Sequence, residues 1–107
     1  MIARILDFEV KMEKKDEFVK VMKNEILPIL KRQNGFQEIL PFFPERMKDR
    51  IFAITLWTSK KDVERYERET YPRVFDIVKP FMTTPVGVNY YNLETTLCQH
   101  FMESLAA

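Results

Sequence analysis

Apolar and polar residues alternate at the start of the chain, where Ile2 to Val10 predict a half-buried strand. Arg4 interrupts its apolar face, which otherwise consists of Ile2, Leu6, Phe8 and Val10. From Glu13 to Gln33 the apolar residues recur every three or four positions, which predicts an amphipathic helix. We expect a kink near Asn24, because Pro28 cannot donate a hydrogen bond to the carbonyl four residues earlier.

Gly35 supplies the left-handed position at which this helix is expected to end. Phe36 to Phe43 then predicts a second strand, and Pro41 favours a place at a sheet edge because proline cannot donate to a ladder. Arg50 to Trp57 predicts a third strand with apolar residues on both faces. A strand of that kind is expected in the centre of the sheet.

The second half of the chain predicts two short helices and a last strand. Ser59, followed three residues later by Asp62, resembles a capping box at a helix start. The Tyr71-Pro72 pair predicts a break and a new helix start, since proline suits the first turn. Pro85 to Thr95 predicts the fourth strand.

This order of elements predicts an α+β, ferredoxin-like βαββαβ fold, with a four-stranded antiparallel sheet and helices on one face. The domain is expected to span residues 1–95. Because the third strand is apolar on both faces, a second copy of the chain is expected to cover the open face, giving a homodimer. Residues 96–107 form a tail whose apolar stripe predicts a helix packed on the partner subunit, with Leu97, Phe101, Met102 and Leu105 in the stripe.

The composition of the chain limits which classes of binding partner and which cellular compartment are expected. The 107 residues suit one domain, and a net charge of +1 lacks the basic excess of proteins that bind nucleic acid or anionic lipid. No window reaches the roughly 20 apolar residues of a membrane span. The single Cys98 and the absence of a signal-peptide pattern indicate a soluble, cytoplasmic protein. One histidine, His100, and one cysteine predict no metal site.

The Gly35-Phe36 pair, the run Leu56-Trp57-Thr58-Ser59-Lys60-Lys61 and the helix carrying Tyr66 resemble the dimeric α+β barrel superfamily, and within it the antibiotic biosynthesis monooxygenase-like (ABM) domains. The resemblance covers Ile2 to about Leu93. It implies two sheets packed face to face in a dimer and a ligand cavity between the sheet and helices of each subunit. Members include cofactor-independent monooxygenases of polycyclic phenols and haem-degrading enzymes.

Trp57 is the one residue that the resemblance carries over as a cavity residue. Its face-mates Ala53 and Thr55 are small, which leaves room for a flat, apolar or aromatic small molecule. The alternative is a core tryptophan whose ring N–H is bonded within the protein. Further candidates for orienting a ligand are Tyr66, Tyr71, Arg73, Asn89, Tyr90 and Tyr91. The more usual role is packing for such tyrosines and backbone hydrogen bonding for such an asparagine.

Two classes of function remain. The first is a cofactor-independent monooxygenase whose aromatic or phenolic substrate supplies its own reactivity. The second is a non-catalytic dimeric domain for small-molecule binding or assembly. Haem degradation is disfavoured, because the haem-degrading members of the family use an Asn on the first strand and a His in the second helical region. Here residues 2–10 contain no Asn and residues 66–82 contain no His. RNA recognition is disfavoured because residues 50–57 match little of the aromatic RNA-recognition pattern.

Overall fold

Four strands form one antiparallel sheet in the computed structural model of the chain, which describes residues 1–46, 50–83 and 85–98. The strands are β1 (Ile2–Phe8), β2 (Phe36–Phe42), β3 (Ile51–Trp57) and β4 (Gly87–Asn92), in the spatial order β2-β3-β1-β4. This is the predicted ferredoxin-like α+β fold. As predicted, the strand that contains Pro41 lies at an edge and β3 lies inside the sheet.

The helices follow β1 and β3 along the chain. They are α1 (Lys15–Val21), a π-helical segment (Met22–Ile26), α2 (Leu27–Lys31), α3 (Lys60–Glu69) and α4 (Tyr71–Val78). The predicted kink near Asn24 takes the form of the π-helical segment, which widens the helix just before Pro28. Pro28 has no N–H to donate to the carbonyl of residue 24. The wider π-helical turn accommodates the proline ring and the missing hydrogen bond. The predicted break before Pro72 is also confirmed.

A close contact between Gly35 and the start of α3 fixes the junction of the first helical region and the sheet. Gly35 has a φ of 82°, and a Cβ there would lie 2.3 Å from Oδ2 of Asp62. Ser59 Oγ accepts from the Asp62 N–H at 3.2 Å, which confirms Ser59 as the helix cap, and it donates to Oδ2 of Asp62 at 2.9 Å, so the Asp62 carboxylate meets the Ser59 hydroxyl. The chain therefore needs a residue without a side chain at position 35.

The core lies between the sheet and the helices. On β3 the helix-facing residues Ile51, Ala53, Thr55 and Trp57 are all buried. The opposite face of the sheet carries large apolar and aromatic side chains that stay partly exposed, at 36% for Leu40, 52% for Phe42, 46% for Phe52 and 57% for Tyr91. Cross-strand partners share a face, so these four side chains lie on one surface. We call this surface the open face.

The first and last strands along the chain, β1 and β4, are shorter than predicted. β1 ends at Phe8, and Val10 makes only an isolated bridge to Met82. β4 ends at Asn92, and a 3₁₀ turn follows at Thr95–Leu97 because the Glu94 side chain accepts a hydrogen bond from the Thr96 N–H.

Only residues 96–98 of the predicted tail lie within the described residues. Leu97 is 84% exposed in the 3₁₀ turn, and Cys98 has non-helical backbone angles. The remaining residues of the predicted stripe, Phe101, Met102 and Leu105, lie outside the described residues. Within the described ranges no helix is long and apolar enough to cross a membrane.

Candidate functional site

Arg4 is the centre of the polar cluster under the helices. Strand alternation directs its side chain from β1 into the core, where the residue is only 1% exposed. Its Nε donates to Oε1 of Glu67 on α3, and the hydroxyl of Tyr90 on β4 donates to the same oxygen. A buried charge is tolerated only when it is paired. Glu67 therefore neutralises Arg4 and joins β1, α3 and β4.

Two neighbouring tyrosine rings pack against the guanidinium of Arg4. Its Cζ lies 4.2 Å from the ring centroid of Tyr71 and 5.4 Å from that of Tyr66. Both distances suit cation–π attraction. The ring of Tyr66 in turn packs against Trp57, with centroids 4.9 Å apart. The aromatic residues thus hold the plane of the guanidinium while Glu67 holds one edge.

The protonation states in this cluster follow from burial and from the Arg4–Glu67 pair. Burial raises the pKa of Tyr66 and of Tyr71, although the nearby Arg4 cation opposes the shift. Burial and the hydrogen bond to Glu67 raise the pKa of Tyr90 to about 12. Burial works against the charge of Arg4, but the hydrogen bond and charge of Glu67 outweigh it and raise the pKa. At neutral pH the site holds phenols beside a cation.

The inner cavity adjoins this cluster, between the sheet and the helices. It has a volume of about 40 Å³, and its polar lining residues are Arg4, Thr55, Tyr66 and Tyr71. Nη2 of Arg4 is buried and has no hydrogen-bond acceptor among the described residues. A buried donor without an acceptor lowers the stability of the fold, so an acceptor that entered the cavity would be stabilised by this N–H.

An apolar pocket of about 180 Å³ lies next to the inner cavity, beneath α1. The two spaces share the residues Phe8, Phe18, Met22, Ile39 and Ala53, which stand between them. A space with polar lining at Arg4 thus adjoins an apolar space beneath α1. An apolar space with a few convergent polar groups is typical of small-molecule sites.

An outer groove of about 540 Å³ runs between α3 and β4. Its lining includes Glu67 and Tyr90, the two residues that are hydrogen-bonded to each other next to Arg4. This pair therefore lies between the outer groove and the Arg4 cluster. The groove is open to solvent on the side away from the core.

The structure gathers only some of the residues predicted from the sequence. Tyr66 and Tyr71 line the inner cavity with Ala53 and Thr55, which share the helix-facing side of β3 with Trp57. The other predicted residues lie elsewhere: Tyr90 and Tyr91 line the outer groove, while Arg73 and Asn89 are exposed and line none of the three spaces.

Trp57 lies in the core. The residue is 0% exposed, and its Nε1 donates to Oγ1 of Thr55 at 2.9 Å. Its ring also packs edge-on against Phe36, with centroids 5.6 Å apart. Trp57 lines none of the three spaces and reaches the inner cavity only through its neighbours Thr55 and Tyr66.

Sequence reasoning missed Arg4 and Glu67. The available signal was a lone charged residue on the apolar face of β1, which requires a buried partner. Glu67 lies four residues after Val63 and one after Tyr66, both buried on the inner side of α3. A search for an acid on the inner face of each helix would have indicated this pair.

The residues of the inner cavity do not fit haem. Its lining, taken over the described residues, contains no His or Cys to ligate iron. A tyrosine ligates iron as phenolate, but the raised pKa values of Tyr66 and Tyr71 favour the phenol. His100 lies outside the described residues. The described part of the chain also contains no cluster of His, Cys, Asp and Glu that could hold a metal ion.

Comparison with known proteins agrees with this architecture. A family model described as antibiotic biosynthesis monooxygenase matches residues 1–75. Among solved structures, a proposed antibiotic biosynthesis monooxygenase from Nitrosomonas europaea superposes with a TM-score of 0.67 at 21% identity, covering 88% of this chain and 99% of that one. The haem degrader MhuD from Mycobacterium tuberculosis, with two haems in its active site, superposes with a TM-score of 0.71 at 16% identity, covering 88% and 96%. No curated protein matches the chain.

Proposed function

This chain belongs to the antibiotic biosynthesis monooxygenase family, and we propose that it oxidises an aromatic or phenolic small molecule with molecular oxygen and no bound cofactor. The observation that supports the proposal most directly is the pair of neighbouring spaces between sheet and helices. The inner cavity has polar lining from Arg4, Tyr66 and Tyr71, and the adjoining pocket beneath α1 is apolar. Once joined, the two would suit a flat apolar molecule that carries an oxygen at one end.

The chemistry that we propose is carried by the substrate. A polycyclic phenol whose keto form has a ring CH₂ loses one proton, and the resulting anion passes an electron to O₂. The two radicals combine to form a C–O bond. The second C–H proton then leaves as the O–O bond breaks, which gives a quinone carbonyl and one water. The substrate supplies all four electrons, so the protein needs only to bind, orient and exclude solvent.

Binding would require the first helical region to move. The inner cavity alone, at about 40 Å³, is much smaller than the volumes of roughly 300–1,000 Å³ that ligand sites usually have. The π-helical segment Met22–Ile26 borders both inner spaces through Met22. π-helical turns often mark functional positions, and a shift of this segment would join the two spaces into a larger site.

Oxygen uptake with 9-anthrone tests this function. The expected result is a protein-dependent rate above the rate of autoxidation in buffer and with heat-denatured protein. One O₂ should be consumed per anthrone, with one ¹⁸O atom of ¹⁸O₂ appearing in the anthraquinone. A rate equal to that of the denatured control, with no binding of anthrone, would overturn the proposal.

A non-catalytic binding domain is the second candidate. The observation that favours it is the environment of Trp57, whose ring N–H is already bonded to Thr55 and whose surroundings are filled. The anthrone experiment separates the two functions. Binding of anthrone without protein-dependent oxygen uptake supports the binding domain over the oxygenase.

We also propose that two copies pair through their open faces. The support is the group of large apolar side chains that stay 36–57% exposed there, an arrangement that suits an interface better than solvent. Sedimentation equilibrium should give twice the 12.9 kDa of one chain, and Phe52→Glu should give the single-chain mass. A single-chain mass for the unmodified protein would refute the pairing.

A cytoplasmic location is proposed on the sequence alone. The support is the single cysteine, Cys98, which has no partner for an intramolecular disulfide. Fractionation of the producing cells should place the protein with other cytoplasmic markers, and recovery with a secreted or surface fraction would contradict this location.

A further inference from the structure

We propose that Arg4 determines which ligands the site accepts, by donating a hydrogen bond from Nη2 to a carbonyl or phenolic oxygen of an aromatic molecule in the inner cavity. This inference rests on the proposed function, because it concerns the same space between sheet and helices. The hydrogen bond to the ligand oxygen thus comes from a residue of β1 and not from Trp57.

The geometry of Arg4 leaves one edge of the guanidinium for a ligand. Nε is occupied by Glu67, and the rings of Tyr71 and Tyr66 pack next to the guanidinium. Nη2 is buried without an acceptor among the described residues, and Arg4 lines the cavity. An apolar residue at position 4 would have avoided the cost of burying this group.

The charge balance of the cluster favours a neutral oxygen over a carboxylate. Glu67 already neutralises Arg4, so a second carboxylate would bring two anions to one cation. A ketone or phenol oxygen adds no charge on binding. If the ligand loses a proton, Nη2 then lies beside the developing negative charge, where a charged donor has its greatest effect.

The remainder of the ligand is constrained by the apolar pocket. The pocket that adjoins the inner cavity is lined almost entirely by apolar side chains, among them Phe8, Phe18 and Met22. A polar substituent at that end would lose its hydrogen bonds with water. The ligand class is therefore a flat aromatic ring system with one oxygen at the Arg4 end.

A matched pair of probes, 1-naphthol and naphthalene, tests the inference by equilibrium dialysis. The two differ by one oxygen, and a hydrogen bond from a charged donor corresponds to roughly a 10- to 100-fold preference for 1-naphthol. Arg4→Met should reduce this preference to within about threefold, since only the general cost of the hydroxyl remains. The exposed arginine in Arg73→Met is the control and should leave the preference unchanged.

The outcomes separate the two proposals. Equal affinity for both probes in the unmodified protein, or a preference that survives in Arg4→Met, overturns the role of Arg4 but leaves aromatic binding intact. Failure to bind either probe overturns both. If Arg4→Met does not fold, the double variant Arg4→Met/Glu67→Gln removes the unpaired carboxylate, and the same threshold applies to it.

A measurement on the unmodified protein does not depend on any variant folding. In protein labelled with ¹⁵N-arginine, the guanidinium signals of Arg4 should shift on adding 1-naphthol and remain in place on adding naphthalene. Arg4→Lys identifies those signals by their loss. Arg4 signals that do not respond to 1-naphthol, as when Nη2 only holds a water, would overturn the inference.

Discussion

Replacing Glu67 by Gln tests the Arg4 cluster most severely, because it removes one charge while keeping the shape of the side chain. Arg4 is 1% exposed, and the side chain of Glu67 is 27% exposed. Removing one partner of a fully buried pair costs about 3–5 kcal/mol. Since Glu67 is partly solvated and the Gln amide oxygen still accepts from Nε, we expect a loss of about 1.5–3 kcal/mol in the free energy of unfolding.

Urea denaturation followed by the fluorescence of Trp57 measures this loss. Trp57 is the only tryptophan and is fully buried, so its emission reports on global unfolding. Glu64→Gln is the matched control on the same helix. The Glu64 side chain is 60% exposed, and its ion pair is a solvated one, with Oε1 3.8 Å from Nζ of the exposed Lys60. The control should change stability by less than about 0.5 kcal/mol. A Glu67→Gln variant as stable as this control would refute the account of the buried pair.

Three further predictions concern the fold, the tyrosines and haem. Gly35→Ala should lower the free energy of unfolding by about 2 kcal/mol or more, because the new Cβ would lie 2.6 Å from Cβ of Asp62 and the backbone is left-handed; urea denaturation measures the loss, and an unchanged stability would contradict this reasoning. Stability should fall as the pH rises from about 10 to 12, because Tyr66, Tyr71 and Tyr90 have raised pKa values and keep their protons longer in the folded state; urea denaturation across this range checks it, and a flat profile would be contrary evidence. Haem should not be degraded, so a reductant-dependent loss of the Soret band after stoichiometric binding would prove this wrong.

Local chemistry explains why the arrangement of elements could be predicted from the sequence. Three of the confirmed features depend on residues that are close in sequence. They are the helix cap at Ser59, the edge position of Pro41 and the break before Pro72. Hydrophobic periodicity supplied the strands and helices between them. Strand ends were less accurate, since the end of β4 depends on a hydrogen bond from the Thr96 N–H to the side chain of Glu94.

The candidate site was harder to predict because its contacts are distant in sequence. Arg4 and Glu67 are 63 positions apart, and no local pattern states that they meet. The sequence allows Trp57 either a ligand contact or a core role, and in the structure its N–H donates to Thr55, two residues away on the same strand. Ala53 and Thr55 were expected to leave room for a ligand, and they line the inner cavity.

A crystal structure of the protein soaked with 1-naphthol tests the central claim most directly. We expect the naphthol oxygen within about 3 Å of Nη2 of Arg4 and the rings packed against Phe18 and Met22 beneath α1 and the π-helical segment. Electron density for 1-naphthol only in the outer groove between α3 and β4, or no bound ligand at all, would contradict it.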